Sequence, residues 1–379
     1  MNYIHTNSMK TKKTNLFIIV SLLLFMIISV LSIYATRSFL RIELRNLYLK
    51  QIIFYIIGFI IIIFTTFKGF SYLKKYHLLI YIGINLLLLS LLLFGVSING
   101  SRCWFYIGPI SFQPSELAKI SLIITMSSTI SKFKKEKNKS LKKEFFLLIK
   151  LFLFTLIPSI LTFLEPDTGV VIIYFLILLT MILYMKLNKI WYITFFSFLF
   201  IIISSIIILY FFKQDLFIKI VGYNIFYRID RVLNWVNSSG YQLENSLIAI
   251  GAGGVNGFGY LKNPVYFPEP QTDFIFTTYI SNFGLIGAII LIINIVVFDI
   301  NILKLSLKKI SIVDKYIILG IFIMLFYGQV QNIGMTLGLL PITGIPLPFI
   351  SYGGSSLLSY LFIVGIVLNI QRELYRYRN

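Results

Sequence analysis

The sequence predicts an all-α polytopic membrane protein of about ten transmembrane helices, with one long external loop between helices seven and eight. Three observations carry this. The 379 residues are 58% hydrophobic and only 13% charged, with a mean hydropathy of +0.88, outside the range of soluble globular chains. Apolar runs long enough to cross about 30 Å of hydrocarbon recur along the whole length. The basic residues behind a formal charge of +20 lie in short loops between those runs. That is the pattern of topology signals and of contact with anionic lipid, rather than of nucleic-acid binding.

The runs occupy 15–35, 51–67, 77–98, 117–131, 146–164, 169–185, 191–212, 275–298, 316–337 and 356–370. The first is too long for a signal-peptide core and lacks a convincing cleavage site, so it is read as a retained helix. The fourth and the last are short and extend into neighbouring polar turns. With the N-terminus in the cytoplasm, 22 Lys and Arg fall inside and 10 outside, which fits the positive-inside rule and puts both termini in the cytoplasm. No internal repeat or separate soluble domain is visible, so residues 1–379 read as one membrane domain. Cys103 is the single cysteine and His5 and His77 the only histidines, which excludes an internal disulfide and a His/Cys metal site.

Two stretches between spans are not ordinary linkers. Residues 213–274 form the long external segment and contain YQLENSLIAIGAGGVNGFGY, a short helical pattern breaking into a glycine-rich turn. Residues 338–356, GLLPITGIPLPFISYGGSS, are uncharged, and Pro341, Pro346 and Pro348 with four glycines rule out a regular helix. Irregular backbone beside a bilayer survives only against protein or a wet cavity. Both stretches therefore point to one outward-facing polar cavity.

Polar residues at the outer ends of spans are costly and cluster here. GSRCWFYIGPISFQPSELAK supplies Arg102, Trp104, Gln113, Ser115, Glu116 and Lys119; LEPDTG supplies Glu165 and Asp167. The long loop adds Arg228, Arg231, Gln242, Glu269 and Asp273, and Gln329, Gln331 and Asn332 punctuate the ninth span. Each has a plain alternative to substrate contact. Glu116 and Lys119 are spaced i,i+3 and would satisfy each other, or Lys119 would pair with Asp167 across two helices. Trp104 suits an interfacial anchor, and Gln331 and Asn332 suit interhelical hydrogen bonding. Gly251, Gly253 and Gly254 would cradle a phosphate or simply make a turn. The 338–356 loop, with Ser351 its candidate contact, would serve packing or ligand. Asp273, in FPEPQTDFIF, is explained less well by a plain role. It would cap the eighth helix, but Thr272 would do so more cheaply beside so apolar a segment. Aromatic surroundings would desolvate its carboxylate and make it a proton acceptor near neutral pH.

NGSRCWFYIGPISFQPSELAK, EPDTG, GYQLENSLIAIGAGGVNGFG, FPEPQTDFIF and NIGMTLGLLPITGIPLPFISYGGSS, in that order, resemble the shape, elongation, division and sporulation (SEDS) family of RodA/FtsW type over essentially the whole chain. The resemblance implies a peptidoglycan glycosyltransferase of the bacterial cytoplasmic membrane that polymerises lipid II on the external face. It further implies release of undecaprenyl pyrophosphate and work beside a class B penicillin-binding protein that crosslinks the strands. The family's essential aspartate falls on Asp273. An α-linked donor and a β-1,4 product call for one in-line inverting displacement with a single base, parallel to inverting glycosidases. Arg102, Lys119, Arg228 or Arg231 would stabilise the leaving pyrophosphate, with or without a divalent cation such as Mg or Mn. Two departures stand out. Ser281 and Asn282 occupy positions where the family usually has adjacent acidic residues, which puts any tuning of Asp273 on Glu269 or Glu116. Gln271 stands where His is common. The GIPLPF segment and the SLIAIGAGG run favour the elongation-type RodA branch over the division-type FtsW branch. A lipid II flippase and a non-catalytic scaffold for the transpeptidase are the rival readings. The external clustering of polar residues speaks against the first and Asp273 against the second.

Overall fold

The computed structural model describes residues 2–376 apart from 99–100, 108–109, 138–139, 224, 228–229, 231–239 and 263. Arg228 and Arg231 lie outside the described residues. The helices in chain order are α1 (Asn2–Ala35), α2 (Leu47–Lys68), the short α3 (Ser71–Lys75), α4 (His77–Phe94), α5 (Pro114–Lys135), α6 (Leu141–Leu164) and α7 (Thr168–Tyr184). There follow α8 (Lys189–Phe212), the short α9 (Gln214–Val221), α10 (Gly240–Gly253), α11 (Ile275–Ser306), α12 (Ile312–Thr336) and α13 (Gly354–Arg376). Among the described residues eight segments are long and apolar enough to cross a membrane, built on α1, α2, α4, α6, α8, α11, α12 and α13. The shorter apolar α7 and the buried α5 complete ten.

α5 escapes a hydropathy criterion because serines and threonines run along it. It is nearly all buried and touches α4, α6, α7, α12 and α13. Several of its hydroxyls are satisfied by backbone: Ser127 Oγ donates to Ile123 O at 2.6 Å, Thr129 Oγ1 to Thr125 O at 2.9 Å. Small side chains of this kind let neighbouring helices approach closely inside a membrane bundle. α8 is the opposite case, a peripheral helix with almost none of its apolar surface buried.

The sequence expectation needs correction at the third span, which was placed at 77–98. Its helix stops at Phe94 and the chain turns into a small antiparallel meander: β1 (Val96–Ile98), β2 (Ser101–Ile107) and β3 (Ile110–Phe112). Val96 pairs with Trp104 and Phe105 with Phe112. Alternation along β2 turns Cys103 inward and leaves Arg102 exposed.

Residues 338–353 are irregular, and their carbonyls are taken up by side chains from surrounding elements. Ser29 Oγ of α1 donates to Ile350 O at 2.7 Å, and Gln51 Nε2 of α2 to Ser351 O at 3.2 Å. The Tyr55 hydroxyl donates to Phe349 O, and Gln331 Nε2 of α12 to Pro341 O at 2.7 Å. Phe349 stacks on Phe25 and meets Phe298 edge-on. This is how backbone without regular structure survives among membrane helices.

α11 is two helices joined at Gly284, which takes φ 65° and ψ −164°. The glycine-rich loop after α10 fits into the break. Phe258 N donates to Ser281 O at 2.8 Å, Leu285 N to Gly254 O at 3.0 Å and Ile286 N to Val255 O at 3.2 Å. A Cβ on Gly284 would lie 2.3 Å from Gly257 N, and one on Gly257 would lie 2.1 Å from Asn282 O. Asn282 Oδ1 accepts from Leu261 N at 2.8 Å, so the departure at 281–282 sits at this junction. Gly253, Gly254 and Gly257 therefore meet backbone here.

Candidate active site

A cavity of about 430 Å³ opens at the end of the bundle that carries the meander and the two irregular stretches. Four pieces of chain wall it: β2 and the start of α5, the turn before α7, residues 269–273, and residues 343–356. Of the residues singled out from the sequence, it brings together Trp104, Gln113, Glu116, Lys119, Asp167, Glu269 and Asp273.

Asp273 precedes α11 without capping it. The N-cap is Phe274, with no side-chain hydrogen bond, so capping by Asp273 or by Thr272 does not occur. Thr272 Oγ1 donates instead to Glu269 Oε2 at 2.7 Å, and Gln271 Nε2 donates to the same oxygen at 3.0 Å. Among the described residues nothing donates to the Asp273 carboxylate. Its backbone is fixed, because Asn332 Nδ2 donates to Asp273 O at 2.9 Å and to Ile345 O at 2.8 Å. Burial, and then the negative charges of Glu269 and Asp167, push the Asp273 carboxyl from 3.8 up to about 7. Glu269 holds its place at a positive φ of 52°, between Pro268 and Pro270, a backbone geometry uncommon outside glycine.

Lys119 Nζ meets Glu116 Oε1 at 2.8 Å, both side chains buried, and stands 5.5 Å from the Tyr360 ring centre. The helical i,i+3 pairing is thus the one formed. Asp167 pairs elsewhere: it accepts from Gln113 Nε2 at 3.1 Å and from Val170 N at 3.2 Å, which caps α7. Burial raises its carboxyl to about 6 against those bonds and the charge of Lys119. Behind it Glu165 is 1% exposed, neither carboxylate oxygen has a partner among the described residues, and burial with the charge of Asp167 raises it to about 8.

The other described residues singled out from the sequence stand away from the lining, Glu165 behind Asp167 and Gln329 with its Nε2 donating to Asp299 Oδ1 at 3.3 Å among them. Arg102 points outward on β2, and Gln242 is half-buried on α10. Ser115 is buried, its carbonyl accepting from the Tyr174 hydroxyl at 3.3 Å. Gln331 and Asn332 bond the carbonyls of the irregular stretches, and Ser351 Oγ donates to Thr272 O at 2.6 Å. Cys103, Tyr106, Ser111, Thr343, Tyr352 and Ser356 line the cavity without having been singled out. Small or amphipathic residues in loops carry no sequence signal that separates wall from packing. Ser281 and Asn282 are not among the lining residues. Among the described residues no group of three or more His, Cys, Asp or Glu is arranged to hold a metal ion.

About ten membrane-type helices with a polar cavity at one end of the bundle, and at its wall an aspartate whose carboxylate has no donor among the described residues, define a multi-pass membrane protein. The chain matches the FtsW/RodA/SpoVE family, described as cell cycle proteins, over residues 13–376, and it belongs to that family. It is 35% identical to the probable peptidoglycan glycosyltransferase FtsW of Wigglesworthia glossinidia brevipalpis, covering 94% of this chain and 92% of that one. It is 31% identical to the stage V sporulation protein E of Bacillus subtilis (96% and 99% covered) and 27% identical to the peptidoglycan glycosyltransferase RodA of Treponema pallidum (85% and 89%). These identities run higher with the FtsW and sporulation relatives than with that RodA, so overall similarity does not carry the branch that GIPLPF favours. Among solved structures, a chain of a peptidoglycan synthase complex matches with TM-score 0.76 at 22% identity, covering 95% of this chain and 98% of that one. The rod shape determining protein RodA of Thermus thermophilus matches at 0.67 and 23%, covering 94% and 96%. At such identities the likeness is one of fold.

Proposed function

We propose that this chain is a peptidoglycan glycosyltransferase of the bacterial cytoplasmic membrane that polymerises lipid II, with Asp273 as general base. The observation that carries the reading is the Asp273 carboxylate: without a donor among the described residues, lining the cavity, and raised to about 7, where a carboxylate accepts a proton and releases it again near neutral pH. In this reading Asp273 takes the proton from the 4-hydroxyl of the acceptor GlcNAc as that oxygen attacks the anomeric carbon of the donor MurNAc. The bond from that carbon to the pyrophosphate oxygen breaks, and undecaprenyl pyrophosphate leaves with the electron pair. One displacement turns an α-linked donor into a β-1,4 product, and the proton passes from Asp273 to water.

Glu269 keeps Asp273 basic by like charge. Lys119 is the one described cation in the cavity wall, and from its pair with Glu116 it would face developing negative charge on the leaving group. Trp104 and Tyr352 offer aromatic faces, and Gln113 and Asp167 polar groups, to the sugars. The basic bias of the loops supports placing both termini in the cytoplasm and the cavity outside. A class B penicillin-binding protein is the partner that would crosslink the new strand.

Purified protein supplied with lipid II tests this, with and without its transpeptidase partner. Asp273→Asn preserves size and removes the base. Wild type should polymerise and Asp273→Asn should lose about 10²-fold or more. Polymerisation by Asp273→Asn at more than about a tenth of the wild-type rate, where a base supplies at least about 10², would sink the assignment. Lipid movement without polymerisation by wild type would favour a transporter.

A further inference from the structure

At the far end of α13 from the cavity lies a second recess, of about 520 Å³. Its floor is Leu22 of α1 and Ile62 of α2, both buried, with Leu368 of α13 beside them. Its rims are Ile19, Ile63 and Phe67, all exposed to what would be hydrocarbon. Arg372 and Tyr375, near the end of α13, complete the lining.

Arg372 is partly engaged. Nη1 donates to Thr66 O at 3.3 Å and to Phe67 O at 3.2 Å, and the guanidinium lies 4.5 Å from the Phe67 ring centre. Among the described residues nothing accepts from Nε or Nη2 and no carboxylate pairs with it. Lys308 Nζ donates to the Tyr375 hydroxyl at 2.7 Å, and Lys68 lies over the Phe64 ring, neither in an ion pair among the described residues. The combination is an apolar slot leading to an arginine with free donors, beside two further cations, at the membrane end where both termini lie. Basic pockets between helices at such a surface suit anionic lipid headgroups.

We propose that this recess is a binding site for one anionic glycerophospholipid of the leaflet on the terminal side. An acyl chain lies between α1, α2 and α13, and the phosphate takes the free donors of Arg372. Charge complementarity selects this occupant, because three cations without carboxylate partners favour an anionic over a zwitterionic headgroup. The site is independent of the proposed chemistry at the other end of the bundle.

Native mass spectrometry of the delipidated full chain tests the site, with phosphatidylglycerol and phosphatidylcholine supplied at equal concentration. Wild type should retain one phosphatidylglycerol with about fivefold preference, the scale of one basic side chain at an anionic surface. Arg372→Gln should abolish that preference, and Ile63→Trp should reduce retention of both lipids by filling the slot. Both residues are exposed, and thermal unfolding would confirm that the variants fold. Arg37→Gln, at the opposite end, should behave as wild type. Equal retention of the two lipids by wild type, or undiminished preference in Arg372→Gln, would overturn the proposal.

Discussion

The side-chain amide of Asn332 on α12 donates to the backbone carbonyl of Asp273 at 2.9 Å, and its second bond, at 2.8 Å, goes to Ile345 O. One buried amide thus pins the two irregular walls of the cavity to the same helix. The carboxylate of Asp273 stays uncommitted because its main chain is held this way.

Asn332→Leu keeps the volume and removes both bonds, leaving two carbonyls without their donor. We expect a loss of about 2 kcal/mol, the scale of unsatisfied buried polar groups. Thermal unfolding in detergent would show it as a lowered midpoint, and hydrogen exchange would rise in residues 341–347 before it rises in α12.

The pH dependence of polymerisation should have an acidic limb set by Asp273, facing Glu269 and Asp167 across the cavity with Glu116 and Lys119 deeper in. Its carboxyl is raised to about 7, so the base form and the rate grow as pH rises through neutrality. Glu269→Gln removes a like charge that raises Asp273. The limb should therefore shift to lower pH, with a lower maximal rate because a weaker base accepts the proton less readily. An unmoved limb would mean that another group sets it.

Glu165 contributes to stability with the opposite sign from a paired carboxylate. Its folded value of about 8 lies above the ordinary 4.5, so the folded state binds the extra proton between those limits. The contribution is fully present below about 4.5 and is lost as pH rises through about 8. Glu165→Gln should raise the unfolding temperature at pH 8.5 and change it little at pH 5, flattening the pH profile measured by scanning fluorimetry.

Gly284→Ala should fold poorly, because a Cβ there would lie 2.3 Å from Val255 O as well as from Gly257 N, at a φ of +65°. The comparison is Gly251→Ala at an exposed position of α10, where a Cβ meets nothing within 4 Å. That change should be neutral or stabilising by up to about 1 kcal/mol through helix propensity. Yield of monodisperse protein after detergent extraction distinguishes the two.

Most of the bundle was legible because a membrane crossing needs a run of apolar residues, and every run falls on a helix, though 275–298 stops eight residues short of Ser306 and 77–98 overruns Phe94 by four. The overrun arose where a short alternating stretch became β1 of a meander, since three residues cannot announce a strand. The break at Gly284 was also silent, because a lone glycine in an apolar run looks the same whether or not it bends the chain. For the cavity, the cost of polar groups near hydrocarbon marked Glu116, Lys119, Asp167 and Asp273. The same cost marked Gln331 and Asn332, and the irregular 338–356 loop marked Ser351; all three spend their polarity on backbone carbonyls. Sequence registers that a polar group is present, and only packing decides whether it faces a cavity or a neighbour.

The junction between Gly257 and Gly284 bears on how the protein could be taken apart. Loop carbonyls supply the acceptors for amides that the interrupted helix leaves free, so residues 254–258 belong to the membrane bundle as much as to the segment outside it. Deleting the segment between α8 and α11 would strip α11 of those partners, and that segment in isolation would carry glycines shaped to fit a helix it no longer has. Trimmed versions of this protein should therefore keep residues 250–261 joined to α11, whatever else is removed.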